Sequence, residues 1–250
     1  MFGLTHNLYM LISALITIVL LVVFNHFIKS EKWKNNILQI TSILVVIIHY
    51  STLWVDYLST GSAEVNNTML FAIYPCNIIM WLLVITAFIK NKNSRLYKIL
   101  SEFTAIGGIV CGIIGIVLNE IFIANPNLLD YDVLNGMLSH SVMVFGCFYL
   151  FVSGFVKLRV KNVFSCFCGL GFFIVHGGLI NLLFWIAKLD ACNSMYMLEN
   201  PFPNLPWLSP YLMGVIALTL LFIVTAIYEQ FAIKKEDRWY SKVVNKKGGK

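Results

Sequence analysis

The sequence predicts an all-α polytopic membrane protein with seven transmembrane helices, an outer N-terminus and a cytoplasmic C-terminus. Its 250 residues are 59% hydrophobic and only 12% charged, and their mean hydropathy is +0.80. A soluble domain carries about 25% charged residues, and a water-soluble interior of this size cannot bury so many apolar side chains. The composition therefore excludes a disordered chain, a coiled coil and an ordinary cytosolic enzyme.

Seven apolar stretches are long enough to cross a bilayer. A hydrocarbon core about 30 Å thick requires about 20 apolar residues in a helix, and seven such stretches follow one another along the chain. We predict a single seven-helix domain over residues 1–250 that ends in a basic cytoplasmic tail at 233–250. The predicted spans lie near residues 8–28, 37–55, 70–89, 103–121, 136–156, 163–187 and 210–232.

The basic residues predict the orientation. Of the 18 Lys and Arg residues, all except Lys188 lie after the first, third or fifth span or in the tail. The positive-inside rule places those segments in the cytoplasm. The Lys-, Asn- and Ile-rich composition favours a multi-pass protein of a bacterial cell membrane. Because the basic residues form short loops rather than a stripe interleaved with aromatic residues, we expect no nucleic-acid partner.

Several polar side chains lie at one depth in the predicted outer half of the membrane. Polar groups in lipid are costly, so each is a candidate for function, and most of these lie roughly 6–10 Å below the outer interface at 1.5 Å per residue. The inner half has no matching layer, whereas a transporter needs a polar path to both sides. The pattern favours an enzyme that takes lipid from the outer leaflet. The side chains are His49, Cys76, Asn77, Glu120, His140 and Asn181.

Cys76 and His140 are the candidate catalytic residues. Pro75 suits the first position of a helix, and a helix that begins there puts Cys76 in the first turn, where the dipole favours a thiolate. The His140 imidazole can take the thiol proton, and the thiolate can attack an ester carbonyl. This chemistry requires no metal and no cofactor.

Other residues are supporting candidates. An Asn or an acid can orient the imidazole, and Asn181, Asn77 and Glu120 are candidates by their depth. His49 could pair with Asp56, two turns along the same helix face, which is a structural interpretation. The spacing of Gly108 and Gly112 predicts close helix packing.

Two further interpretations stay open. A binding or transport protein without catalytic activity would hold a small polar ligand in an outer cavity and would tolerate Cys76→Ser. A structural or assembly partner in the membrane would need Cys76 and His140 only for packing.

Three segments carry a resemblance to a known family. They are Tyr74-Pro75-Cys76-Asn77, Leu138-Ser139-His140, and the loop from Asn193 through Pro206-Trp207 to Tyr211. They resemble the Pro-Cys element, the Ser-His element and the N-Y-M-Y-L…P…W-P-x-Y signature of the YwaF-like bacterial integral membrane proteins. Asn181 matches the asparagine that precedes this signature.

This resemblance covers roughly residues 50–211. The YwaF-like family is related to an animal transmembrane acyltransferase that acts on ether phospholipids. The resemblance implies about seven helices, Cys76 as the acyl acceptor and His140 as the base. It also implies a membrane phospholipid or lysophospholipid as the substrate, with transfer to a lysolipid or hydrolysis as the reaction.

Overall fold

A computed structural model describes residues 3–61, 71–119, 122–123, 125, 127–189, 192–200, 209–239 and 241. Within these ranges the chain contains seven long α-helices, short 3₁₀ turns and no β-strand. The predicted all-α fold class is confirmed. The helices are α1 (Leu4–Phe27), α2 (Glu31–Thr60), α3 (Pro75–Phe88), α4 (Arg95–Val117), α5 (Tyr131–Val152), α6 (Val163–Ile186) and α7 (Pro210–Ala232).

The lengths of these helices suit a membrane protein. Six of the seven, all except α3, are long and apolar enough to cross a bilayer. Helix α3 has 14 residues, which span about 21 Å and so fall short of a hydrocarbon core of about 30 Å. The chain is a multi-pass membrane protein, whereas seven complete spans and the orientation of the termini stay predictions.

The start of α3 differs from the predicted third span at 70–89. Residues 71–74 are not helical, and the helix begins only at Pro75. A proline disfavours the α conformation in the residue before it, and Tyr74 accordingly has the extended angles φ −99° and ψ 154°. The apolar stretch therefore continues through a segment that is not helical.

Helices α4 and α5 begin at polar N-caps, before their apolar stretches. The Ser94 hydroxyl accepts a hydrogen bond from the Tyr97 N–H at 3.1 Å, and the Asp130 carboxylate accepts one from the Asp132 N–H at 3.1 Å. Such caps satisfy backbone N–H groups that have no acceptor within the helix. Helices α4 and α5 thus include polar first turns that hydropathy does not detect.

The chain forms two compact units, Met1–Val156 and Lys157–Lys250, and each is described by itself. In the first unit, α5 packs against α1, α2, α3 and α4. Two glycines of α4 permit its close approach to α5. A Cβ atom at Gly108 would overlap Cys147, and one at Gly112 would overlap Val144. The packing role predicted for this glycine pair is confirmed.

Helix α1 is attached to the first unit by a buried histidine near its start. The sequence pattern places His6 outside the first span, but the helix begins at Leu4 and includes it. Only 1% of His6 is exposed. Its Nε2 atom lies 2.9 Å from the Ile116 carbonyl oxygen, and its ring contacts Phe122. This polar residue therefore has a structural role at the helix end.

The second unit contains α6 and α7 and a buried carboxylate. Glu229 on α7 is 2% exposed. Its two oxygens accept hydrogen bonds from the Val160 N–H at 2.8 Å and the Trp239 N–H at 3.1 Å. It thus fastens the segment before α6 and the first part of the predicted tail to α7. Residues 240 and 242–250 of that tail lie outside the described ranges.

We expect Glu229→Ala to destabilise the second unit by about 2–4 kcal/mol, because two buried N–H groups lose a charged acceptor. Thermal unfolding of the purified protein in detergent measures the loss. Gln230→Ala is the matched control, since its exposed side chain contacts Arg238 at the surface and such contacts contribute little. Equal unfolding temperatures for the two variants would contradict the role assigned to Glu229.

Candidate functional site

Four of the residues predicted from sequence meet inside the first unit. His49 comes from α2, Cys76 and Asn77 from the first turn of α3, and His140 from α5. They line one cavity of about 30 Å³, which has room for about one or two water molecules. The rest of its wall is formed by Val45, Met80, Ser139 and Met143.

Cys76 lies in the first turn of α3. Pro75 is the first helical residue, and the N–H groups of Asn77 and Ile78 both donate to the Tyr74 carbonyl. The Cys76 N–H has no acceptor within the helix, as is general for the first turn. The thiol therefore lies beside the positive end of the helix dipole, where a thiolate is stabilised.

The His140 imidazole is held in one orientation by its own helix. Its Nδ1 atom lies 2.7 Å from the Gly136 carbonyl oxygen, so Nδ1 carries the proton and donates it. Nε2 is then the basic nitrogen. The imidazole and the Cys76 thiol line the same small cavity. The pair thus has the arrangement of a nucleophile beside a base whose tautomer is fixed by a third group.

Asn77 connects the thiol to a second histidine. Its Oδ1 atom accepts from the Cys76 thiol at 3.5 Å, and its Nδ2 group donates to His49 Nε2 at 3.0 Å. Because His49 Nε2 accepts this bond, it carries no proton in this arrangement. Asn77 is 6% exposed, so this bridge is largely buried, and both of its partners line the cavity.

A polar clamp holds α2 against α5 close to the cavity. The Asn135 side-chain amide donates to the Ser51 hydroxyl at 3.0 Å and to the Ile48 carbonyl. The Tyr131 hydroxyl lies 2.6 Å from the Ser51 hydroxyl. The clamp lies next to His49 on α2 and one turn before Ser139 on α5. The sequence does not predict this clamp directly, although polar residues near two helix ends are a signal for such a contact.

Gly115 on α4 provides the space for the His140 ring. A Cβ atom at this position would overlap the imidazole at Cδ2 and Nε2. The glycine therefore determines where the basic nitrogen can lie. The sequence pattern does not predict a function for Gly115, because the role of a glycine depends on the side chain that packs against it.

A comparison with family models identifies the chain. The model described as the TMEM164 family matches residues 1–228. The chain belongs to the TMEM164 family. No curated protein and no solved structure matches it. The family match extends from α1 into α7 and includes both Cys76 and His140. Membership of a transmembrane family is thus confirmed, and the relation to YwaF-like proteins stays a prediction.

Asn181, the candidate from the sixth span, lies in the second unit of this TMEM164-family chain. Its Oδ1 atom accepts from the Ser194 N–H at 2.7 Å, and its Nδ2 group donates to the Ser194 carbonyl at 3.3 Å. The next residues, Met195 and Tyr196, have positive φ angles of 54° and 53°. Asn181 thus stabilises a strained turn of the loop. Its predicted role in orienting His140 stays a prediction.

Three predicted features lie outside the described parts of the chain. They are Glu120, the Asp56 side chain, and residues 201–208 of the loop signature. The pairing of His49 with Asp56 therefore stays a prediction. In the residues that are described, His, Cys, Asp and Glu side chains form no group of three or more that could hold a metal ion.

We expect Gly115→Ala to destabilise the protein by about 1–3 kcal/mol, because the added methyl group overfills the space beside His140. Thermal unfolding in detergent measures the change. Gly171→Ala on α6 is the matched control, because nothing lies within 4 Å of the added Cβ atom there, and alanine is the better helix former.

A double variant separates this clash from a general helix effect. If His140 is the obstacle, Gly115→Ala combined with His140→Ala costs less than the sum of the two single changes. Strict additivity of the two changes would show that the ring does not lie against Gly115.

Proposed function

We propose that this chain is a membrane lipid acyltransferase or lipid hydrolase in which Cys76 is the nucleophile and His140 the general base. The observation that supports this most is that the Cys76 thiol shares one small cavity with an imidazole whose Nδ1–H is bound to the Gly136 carbonyl. A thiol next to a base of fixed tautomer is the arrangement that covalent acyl transfer requires.

The first half of the reaction forms an acyl-enzyme. Nε2 of His140 accepts the Cys76 thiol proton, and the sulfur attacks the ester carbonyl carbon of a phospholipid. The Cys76 N–H is placed to donate to the developing oxyanion. The tetrahedral adduct breaks its bond to the glycerol oxygen, which takes the proton from His140. A lysophospholipid leaves, and a thioester remains on Cys76.

The second half of the reaction decides between the two enzyme classes. An incoming hydroxyl group gives its proton to His140, and its oxygen attacks the thioester carbonyl. The thiolate leaves and recovers the proton. A hydroxyl from a lysophospholipid yields a new phospholipid, whereas water yields a free fatty acid. Before the reaction, Asn77 positions the thiol and His49, since it bonds both.

The size of the cavity supports a substrate that stays largely in the membrane. About 30 Å³ cannot enclose an acyl chain, so the chain remains in lipid while the ester carbonyl approaches Cys76. The positive-inside rule supports a position of this end of α3 in the outer leaflet, and we propose that the protein acts in a bacterial cell membrane. The small volume disfavours the alternative in which this outer cavity holds a small polar ligand.

Lipid mass spectrometry on the purified protein tests this proposal. The protein is supplied with phospholipid of known acyl composition, with and without an ether lysophospholipid. An acylated ether lipid indicates a transferase, and free fatty acid alone indicates a hydrolase. If the folded protein forms neither product, with or without the ether lysophospholipid, catalysis at Cys76 is rejected in favour of a binding role.

A further inference from the structure

A second and larger cavity lies at the opposite end of α3 from Cys76. It is bounded by the start of α2, the end of α3 and the loop that follows, and its volume is about 320 Å³. Ligand sites have volumes of about 300–1,000 Å³. Twelve residues of helix separate Cys76 from Phe88, which corresponds to about 18 Å. The second cavity is therefore a separate site.

The lining of this cavity is basic. Lys32, Lys90 and Lys92 contribute to its wall, and Glu31 is the one acid among the lining residues. The Glu31 carboxylate is already paired with Lys34 at 2.7 Å. Three ammonium groups thus surround the space without an equal number of carboxylates, so the cavity favours an anion.

Two hydrogen bonds hold Lys92 in place, and the third N–H of its ammonium group can donate to a ligand. Its Nζ atom donates to the Thr86 and Ala87 carbonyls at 2.9 and 3.0 Å, which are carbonyls at the end of α3. The ammonium group also lies 4.8 Å from the centre of the Tyr97 ring. Burial lowers the pKa of Lys92, and an anion in the cavity would stabilise its charged form.

We propose that this cavity binds the headgroup of an anionic phospholipid. The phosphate lies among Lys32, Lys90 and Lys92. The cavity lies at the basic ends of lipid-exposed helices, and Phe88 and Phe155 give it an apolar side. Basic pockets between transmembrane helices are suited to such headgroups. A lipid fits these surroundings better than a free phosphate ion.

Native mass spectrometry of the full-length protein in detergent tests the proposal with phosphatidylglycerol as the probe. The Lys32→Gln and Lys90→Gln double variant should bind this lipid about 25-fold more weakly, at about fivefold for each lysine. Lys92 is left unchanged because it caps α3. The matched control is Lys29→Gln with Lys98→Gln, which removes the same charge from exposed positions outside the cavity.

Three outcomes would overturn the proposal. The control pair could weaken binding as much as the cavity pair, which would indicate attraction by general surface charge. Phosphatidylcholine could bind as tightly as phosphatidylglycerol. Millimolar inorganic phosphate could displace the lipid from the wild type, which would assign the site to phosphate alone. The preference of the wild type for phosphatidylglycerol with none of these effects supports a lipid site.

None of these measurements depends on catalysis, so their failure would leave the proposal for Cys76 unaffected.

Discussion

Replacing Cys76 by alanine is expected to lower the turnover of phospholipid by about 10⁴-fold or more. Removing a covalent nucleophile eliminates the acyl-enzyme route and leaves only the weak catalysis due to binding and oxyanion donors. The fold should be retained, because Cys76 is only partly buried and alanine fits the first turn of a helix. Quantitative lipid mass spectrometry of products over time measures the loss.

Two further variants make this result specific. Cys168→Ala removes an exposed thiol on α6 and should keep the wild-type rate. Cys76→Ser keeps the size and hydrogen bonding of the side chain but replaces the thiol by a poorer nucleophile, so it should be strongly impaired. Wild-type turnover in Cys76→Ala would exclude Cys76 as the nucleophile.

Replacing His140 by alanine should lower turnover by about 10²- to 10⁴-fold, the usual contribution of a general base. The Cys76 thiol then loses its proton acceptor, whereas the hydrogen bond between Asn77 and His49 is retained. His26→Ala is the control, because His26 is exposed at the end of α1. The same product assay, combined with thermal unfolding, measures both variants.

Chemical rescue distinguishes a base from a structural histidine. Added imidazole can occupy the space that His140→Ala leaves and should restore part of the activity with a dependence on the concentration of neutral imidazole. Cys76→Ala should not respond. If His140→Ala keeps the wild-type rate, or if imidazole restores Cys76→Ala equally, His140 does not act as the base.

The helical architecture could be predicted from sequence because lipid imposes a simple rule. Each span must satisfy its own backbone hydrogen bonds and be apolar over its length. The boundaries depend on other effects. Ser94 and Asp130 begin helices with polar caps that hydropathy does not detect, and Pro75 makes α3 shorter than its apolar stretch. Hydropathy thus locates the helices but not their ends.

Part of the candidate site could be predicted from the depth of its residues in the membrane alone. Residues near the same end of neighbouring helices lie at one level, and the structure brings His49, Cys76, Asn77 and His140 to one cavity. The spatial partners could not be predicted in this way. The Gly136 carbonyl binds the His140 Nδ1 atom and thereby fixes its tautomer, a contact that no pattern of residue types announces.

Gly115 and Asn181 show most clearly what the depth of a residue in the membrane does not predict. Gly115 has no side chain, and its importance comes from the imidazole that packs against it. Asn181 lies at the predicted level, but its described hydrogen bonds are to Ser194. Depth along a helix carries no information about the direction in which a side chain points, so it cannot identify an individual partner.

Intact-protein mass spectrometry after brief incubation with phospholipid tests the central claim most directly. The wild type should gain the mass of one acyl group, and neutral hydroxylamine, which cleaves thioesters, should remove it. Peptide mapping should place the group on Cys76. His140→Ala should acquire the group slowly, and Cys76→Ala should acquire none. Two results would contradict an acyl-enzyme at Cys76. One is an acyl group on Cys76→Ala, and the other is turnover by the wild type without formation of a thioester.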